Sequence, residues 1–151
     1  MKVRELMTPV VHTLQPHATL HEAARAHWEH DCGLVPIVDD ASGVLGVITD
    51  RDVCMAAYIQ GRPLQEITVD EIMSTDLITC GPDDDARDAL RCMAEGQVHR
   101  LVVLDDRDRL HGVLSINDVA LGSAKGKVDA TRVVDALSKI TAPRPQAAAA
   151  R

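Results

Sequence analysis

The chain repeats itself at a fixed offset of 66 residues, with no insertion between the matching positions. The match opens where Val3-Arg4-Glu5-Leu6-Met7-Thr8 aligns with Val69-Asp70-Glu71-Ile72-Met73-Ser74. It closes where Gly46-Val47-Ile48-Thr49 aligns with Gly112-Val113-Leu114-Ser115, and Asp52-Val53 with Asp118-Val119. Each copy has about 50 residues, a size at which a single hydrophobic core is marginal. We therefore expect two copies of one supersecondary unit that pack on each other.

Hydrophobic periodicity and turn residues predict the order strand–helix–strand–strand–helix in each copy. In the first copy the predicted elements are a strand Val10–Leu14, a helix from Leu20 to about His30, strands Leu34–Val38 and Val44–Ile48, and a helix to about Ile59. In the second they are a strand near Leu77–Cys80, a helix from about Ala86 to Glu95, strands Leu101–Leu104 and Leu110–Leu114, and a helix from Ile116. The predicted class is α+β (mixed α/β), with two small sheets covered by helices.

Local motifs refine these elements. Thr19-x-x-Glu22 has the form of a capping box at the start of the first helix. On that helix five residues recur at helical spacing and are expected to face inward: Leu20, Ala23, Ala24, His27 and Trp28. The repeats are taken as residues 3–60 and 69–122, followed by a polar linker.

The last segment belongs to neither copy. Val133, Leu137 and Ile140 stand at i, i+4 and i+7, which predicts a helix with one apolar face within residues 128–141. Packing on the chain's own core is the first expectation for this helix, a dimer contact the second and a foreign protein the third. Residues 142–151 are expected to form a frayed tail.

Composition narrows the function classes. Sixteen basic and twenty-three acidic side chains give a net charge of −7, which argues against binding nucleic acid through bulk charge. No run approaches the roughly 18 apolar residues of a membrane span. The four cysteines form no C-x-x-C pair, so neither a zinc ribbon nor a redox dithiol is expected. Met1–Glu5 leads into no apolar signal stretch, and a cytoplasmic location with free thiols is the expectation.

The sequence has no nucleophile elbow, no glycine-rich phosphate loop, no HExxH and no paired-carboxylate cleft, so an enzyme is not expected. His17 and His21 are four residues apart, but His17 precedes the predicted helix cap and does not share a helix face with His21. His27 lies on the apolar face, where a core histidine with its hydrogen bonds satisfied is the commoner case. No metal site is predicted.

The repeated motifs resemble those of the CBS (cystathionine-β-synthase-like) family. The family marks are an opening V-x-x-I/L-M-T/S, a T-x-x-P strand end, a buried strand with Pro and Asp, and a closing G-h-h-T/S-x-x-D-h, where h is hydrophobic. The similarity covers residues 3–53 and 69–119. In the second copy Val102 replaces the strand proline and Arg109 replaces the turn glycine.

The resemblance implies a stand-alone pair of CBS domains that binds an adenosine-containing ligand (AMP, ADP, ATP or similar) in clefts between the copies. Asp52 and Asp118 would accept hydrogen bonds from ribose hydroxyls, with Thr49 and Ser115 beside them. Arg51 and Arg100 are phosphate candidates, whereas Asn117, the counterpart of Arg51, brings no charge. Backbone groups near Thr13 and Thr79 would hold adenine. Aliphatic side chains would pack on it, namely Val35, Val47, Leu101 and Val113.

Two alternatives stay open. Thr49-x-x-Asp52 and Ser115-x-x-Asp118 also fit helix caps that need no ligand. The leading function is a regulatory module that senses adenine nucleotides without a required cofactor and signals to an unknown protein target, as a homodimer. The other is a ligand-free interaction or scaffold module of the same fold.

Overall fold

The computed structural model describes residues 1–9 and 11–144. Its helices are α1 (Leu20–Glu29), α2 (Asp50–Gln60), α3 (Ala86–Gly96), α4 (Ile116–Ala124) and α5 (Ala130–Thr141). Its strands are β1 (Val35–Val38), β2 (Val44–Ile48), β3 (Thr79–Cys80), β4 (Arg100–Leu104) and β5 (Leu110–Ser115). Short 3-10 helices occupy Val3–Glu5, Leu64–Glu66 and Val69–Glu71. The mixed α/β class and the element order predicted for the second repeat are confirmed.

The predicted first strand of repeat 1 is the main exception. Val10 lies outside the described residues, and the rest of the segment joins the sheet only through a parallel bridge between Leu14 and Ile37. The second repeat keeps a short strand, because Thr79 and Cys80 pair in parallel with Val102 and Val103. In each repeat, the segment before the first helix thus lies beside the first strand of that repeat's own hairpin. The pairing is longer in repeat 2.

Each repeat contains the predicted antiparallel hairpin. In repeat 1, β1 pairs with β2, and Val35 lies opposite Ile48. In repeat 2, β4 pairs with β5, and Arg100 lies opposite Ser115. Within the described chain, no helix is long and apolar enough to cross a membrane.

The hairpin turns explain why Arg109 is tolerated in place of glycine. The residues with positive φ are Ser42 in repeat 1 (66°) and Asp108 in repeat 2 (56°), one position before Gly43 and Arg109. Asp108 is a residue type that adopts this left-handed conformation more readily than most. The turn therefore does not require glycine at the position of Arg109.

The two repeats exchange their opening segments. Thr8 of repeat 1 makes two backbone hydrogen bonds with Val113 of repeat 2, at 2.9 and 3.0 Å. Ser74 of repeat 2 makes the corresponding pair with Val47 of repeat 1, both at 2.9 Å. Consequently Val3 and Met7 are buried in the core of repeat 2, while Val69 is buried in the core of repeat 1. The two copies therefore pack on each other, as expected, and they do so by each placing its opening segment in the core of the other.

The exchange accounts for the glycine in the closing motif. A Cβ atom at Gly112 would lie 2.5 Å from the carbonyl oxygen of Thr8, and one at Gly46 would lie 2.9 Å from that of Ser74. Contacts this short are not compatible with an unmoved backbone. The opening Met-Thr or Met-Ser of one repeat therefore needs the glycine of the other repeat.

Helix α5 covers one repeat only. Val133, Ala136 and Ile140 belong to the core of repeat 2, and the helix contacts α3 and α4. This is the packing on the chain's own core that was the first expectation. Asp129 caps the helix by accepting a hydrogen bond from the backbone of Thr131 at 2.9 Å. Of the predicted tail, residues 145–151 lie outside the described part.

The inward orientation predicted for Trp28 is wrong. Its side chain is 88% exposed, whereas Leu20 and Ala23 on the same helix are fully buried. Trp28 lies at the edge of the apolar stripe of α1, next to Ala24, which is half-buried. In repeat 2 the corresponding position is Ala94, which packs against the core that includes α5.

Candidate functional site

The two T/S-x-x-D motifs are complete capping boxes. In repeat 1, Asp52 N–H donates to Thr49 Oγ1 at 3.2 Å, and Thr49 N–H donates to Asp52 Oδ2 at 2.8 Å. These bonds satisfy backbone donors that the first turn of α2 otherwise leaves free. The residues sit where β2 meets α2, because Thr49 directly follows the strand.

The motif in repeat 2 is bonded more tightly. Ser115 donates to Asp118 Oδ2 from both its backbone N–H, at 2.8 Å, and its hydroxyl, at 2.6 Å. Asp118 N–H donates back to Ser115 Oγ at 3.1 Å. In both motifs Oδ2 serves the cap. Among the described residues no protein donor reaches Oδ1 of either aspartate, so that oxygen is the acceptor left for a ligand hydroxyl.

A cavity of about 520 Å³ lies at the junction of the two repeats. Two of its lining residues, Arg100 and Asn117, come from repeat 2. The others come from α1, the loop after it and the start of α2 in repeat 1, namely Ala24, His27, Trp28, Asp31, Cys32, Gly33, Asp50 and Val53. Its volume is within the range of about 300–1,000 Å³ that is typical of small-molecule sites. A smaller groove of about 320 Å³ between α3 and α5 lies away from this junction.

Arg100 is the cation of the junction cavity. Its guanidinium group lies over Gly33, and a Cβ atom built at Gly33 would be 2.2 Å from Arg100 Nη2. A larger residue at this position would displace the guanidinium group from where it lies. Within residues 1–9 and 11–144, Arg100 makes no ion pair. Because Asp50 and Asn117 stand in the first turns of α2 and α4, two helix N-termini also border the cavity, where backbone N–H groups favour negative charge.

His27 and Cys32 form the wall on the repeat 1 side. His27 is buried, and its Nδ1 lies 2.6 Å from the carbonyl oxygen of Cys32. Since a carbonyl oxygen only accepts, Nδ1 carries the proton, and Nε2 has no partner among the described residues. The core histidine expected from the sequence is thus only half satisfied. Burial raises the pKa of the Cys32 thiol, which donates to Ala26 O at 3.6 Å.

The remaining predicted site residues divide by exposure. Val35 and Leu101 are fully buried, each in the core of its own repeat. Their expected role in packing on adenine stays a prediction. Thr13, Thr79 and Arg51 are exposed and do not line the junction cavity. Of the predicted site residues, Arg100 and Asn117 line the same cavity. Thr49 bonds to Asp52, and Ser115 to Asp118, within their own helix caps.

Sequence reasoning missed most of the repeat 1 side of this cavity. The motifs do not mark Gly33, Asp50 or Val53 as site residues, and helical periodicity predicts that Trp28 faces the core. One signal was present in the offset, because Gly33 aligns with His99 and both immediately precede a strand region. Repeats that pack on each other can bring such corresponding positions together, which would have placed Gly33 beside Arg100.

Comparison with known proteins agrees with this architecture. A family model of the CBS domain matches residues 3–58 and 69–124. The CBS domain-containing protein YhcV of Bacillus subtilis (strain 168) is 38% identical over 120 residues, which are 79% of this chain and 83% of that protein. Hypoxic response protein 1 of Mycobacterium tuberculosis (strain H37Rv) is 30% identical over 117 residues, 78% of this chain and 81% of the relative.

A solved structure shares the fold along most of the chain. It is the CBS domain pair of protein MJ0100 in complex with 5-methylthioadenosine and S-adenosyl-L-methionine, with a TM-score of 0.73 and 25% identity. The similarity covers 80% of this chain and 98% of that one. Because the family model matches two domains and the repeated motifs share one register, the chain belongs to the CBS-domain family, as a tandem pair.

Proposed function

We propose that this chain is a regulatory module that binds an adenosine-containing nucleotide at the junction of its repeats and passes the signal to a protein partner. The observation that carries the proposal is the junction cavity, in which Arg100 is held over Gly33 without an ion-pair partner in the described chain. A guanidinium group with its donors free suits a phosphate or carboxylate, because it offers several N–H groups in a planar fork. The MJ0100 pair, crystallised with two adenosine compounds, supports the same ligand class.

The capping aspartates supply the second part of the proposal. A ribose hydroxyl is a donor, and Oδ1 of Asp52 or Asp118 is an acceptor that the cap leaves free. Cap and ligand thus share one carboxylate, so binding does not require the helix start to unwind. AMP, ADP and ATP share this ribose chemistry and differ in the charge that they bring to Arg100.

Ligand binding would act by shifting populations. A ligand that contacts both repeats favours the arrangement in which Arg100 and the start of α2 converge. The proposal includes no catalytic step. It places the chain in the cytoplasm, where a reducing environment suits its four free cysteines.

Thermal shift assays with AMP, ADP, ATP and S-adenosylmethionine test the proposal. At a concentration one hundred times Kd, a ligand stabilises the native state by about 2.7 kcal/mol. Asp52→Ala and Asp118→Ala, made separately, identify the ribose partner by the loss of that shift, while Asp106→Ala at an exposed turn serves as the control. No shift with any of these compounds at millimolar concentration favours the ligand-free scaffold.

A further inference from the structure

The groove of about 320 Å³ between α3 and α5, here called the α3–α5 groove, lies on repeat 2. Two buried apolar side chains, Leu90 of α3 and Ala136 of α5, are among its lining residues. Helix α5 follows the second stretch that the CBS-domain model matches, residues 69–124. The groove is therefore made by a repeat together with a helix that belongs to neither repeat.

The charge of this groove is opposite to that of the whole chain. Four of its lining residues are cationic and two are anionic, whereas the chain has a net charge of −7. The cations are Arg87, Arg91, Arg132 and Lys139, and the anions are Glu95 and Asp135. A local excess of positive charge on an acidic protein attracts anionic groups to one place on its surface.

Arg132 and Lys139 of α5 are the two cations of the groove whose charge is not used in an ion pair within the described chain. Both residues are exposed. In contrast, Arg87 and Arg91 of α3 are each paired with a nearby aspartate at 2.9 Å. The charge available to a ligand or partner therefore comes mainly from α5.

The spacing of these two cations indicates the shape of the anion that they fit. Arg132 and Lys139 stand at i and i+7, so they lie on one side of α5 about 10 Å apart along its axis. Asp135 stands between them and lines the same groove. A compact anion that contacts both cations would approach this carboxylate, which repels it. An acidic polypeptide segment can place one carboxylate at each cation and an apolar side chain over Leu90 and Ala136.

We propose that the α3–α5 groove is the docking surface for an acidic segment of a protein partner. The inference rests on the proposed function only in that a partner exists, and it does not depend on which ligand binds at the junction of the repeats. Arg132 and Lys139 each bind one carboxylate of the segment. Helix α5 thus has two roles, since its buried side completes the core of repeat 2 and its exposed side recognises the partner.

Fluorescence anisotropy with the full chain, at low salt and without nucleotide, tests the proposal. The probe is a fluorescein-labelled peptide of repeated Glu-Glu-Leu units, and its control has Gln in place of Glu. Wild type is expected to bind the acidic peptide and not the neutral one. Arg132→Gln and Lys139→Gln should each weaken binding roughly two- to fivefold, as for exposed ion pairs. Their effects should multiply in the double variant, because the two positions are about 10 Å apart.

Arg107→Gln is the matched control, because it removes the same charge from an exposed hairpin turn outside the groove and should bind the acidic peptide as wild type does. All substituted positions are exposed, so unchanged thermal unfolding shows that the fold is kept.

Three outcomes overturn the proposal. The first is no binding of the acidic peptide at millimolar concentration, and the second is equal binding of the neutral peptide or an equal loss in Arg107→Gln and Arg132→Gln. The third is displacement of the peptide by tripolyphosphate that binds more tightly, which would assign the groove to a compact anion. Because Arg100 is unchanged and no nucleotide is added, these outcomes are separate from success or failure of nucleotide binding.

Discussion

Repeat 1 and repeat 2 share the same order of helices and hairpin strands. They differ in whether a further helix packs on them and in the charge that each brings to the junction cavity. Helix α5 packs on repeat 2, which also supplies Arg100 to the junction cavity. The residue of repeat 1 that aligns with Arg100 is Leu34. Repeat 1 keeps an uncovered helix pair and supplies Gly33, which leaves room for the arginine. The shared motifs maintain caps, hairpins and exchanged segments. The residues between the motifs place Arg100 over Gly33, and α5, which follows both repeats, packs on repeat 2 only.

Removing a core contact of α5 gives the largest expected effect. Ile140 is 4% exposed, so Ile140→Ala leaves a cavity and should lower the free energy of unfolding by about 2–5 kcal/mol. Val134→Ala on the solvent side of the same helix should change it by less than about 0.5 kcal/mol. Urea unfolding measures both. Equal effects would mean that α5 does not stabilise repeat 2.

The exchanged segments give the next largest effect. Alanine at Gly112 or Gly46 pushes the opening segment of the other repeat away, which should cost about 1–3 kcal/mol. Gly112→Ala is expected to be the worse variant, because its Cβ would be 2.5 Å from a backbone oxygen, against 2.9 Å at Gly46. Chemical denaturation of the two variants measures this difference. The reverse order would contradict the exchange as described.

The two caps should differ by a smaller amount. Thr49→Ala removes one capping bond and should cost about 1 kcal/mol. Ser115→Ala also removes the 2.6 Å bond from the Ser115 hydroxyl to Asp118, so it should cost more. Thermal unfolding of both variants at pH 7 shows the order. An equal cost would indicate that the extra hydroxyl bond contributes nothing.

Substitution in the hairpin turn of repeat 2 should have the smallest effect on stability. In repeat 2, the backbone N–H and then the guanidinium group of Arg109 lower the pKa of Asp105 to about 2. Because this pKa is below the ordinary value of about 3.9, the interaction stabilises the fold above about pH 4, and the stabilisation is lost as the pH falls toward 2.

Arg109→Gly gives repeat 2 the turn residue of repeat 1 and leaves Asp105 its backbone bonds. The melting-temperature difference between wild type and this variant should be small at pH 6 and should shrink as the pH falls from 4 to 2, since exposed ion pairs contribute little. A difference that grows with acidity would contradict the assigned role of Arg109.

Local chemistry explains why much of the fold was predictable. The Thr19 and Thr49 capping boxes mark where α1 and α2 begin, and apolar runs between turn residues mark the hairpins. The exchange of opening segments was not predictable in detail. A repeated motif specifies its own conformation, but it does not specify which copy of the partner motif it packs against.

The candidate site was predictable only in part. Arg100 and Asn117 were identified from their places in the repeat, and both line the junction cavity. The repeat 1 wall was missed because Gly33 and Asp50 come close to Arg100 only through packing between repeats. Periodicity misplaces Trp28 because it assigns a residue at the edge of a helix face to the core whether or not another element covers that residue.

Isothermal calorimetry of AMP and ATP with wild type, Arg100→Leu and Arg107→Ala tests the central claim most directly. Leucine is the residue of repeat 1 at the corresponding position, and Arg107 is an exposed arginine outside the junction. Loss of a hydrogen bond to a charged group costs about 1.5–3 kcal/mol, so Arg100→Leu should weaken binding roughly 10- to 150-fold, while Arg107→Ala binds as wild type does. Wild-type affinity in Arg100→Leu would contradict the claim that the junction of the repeats is the nucleotide site.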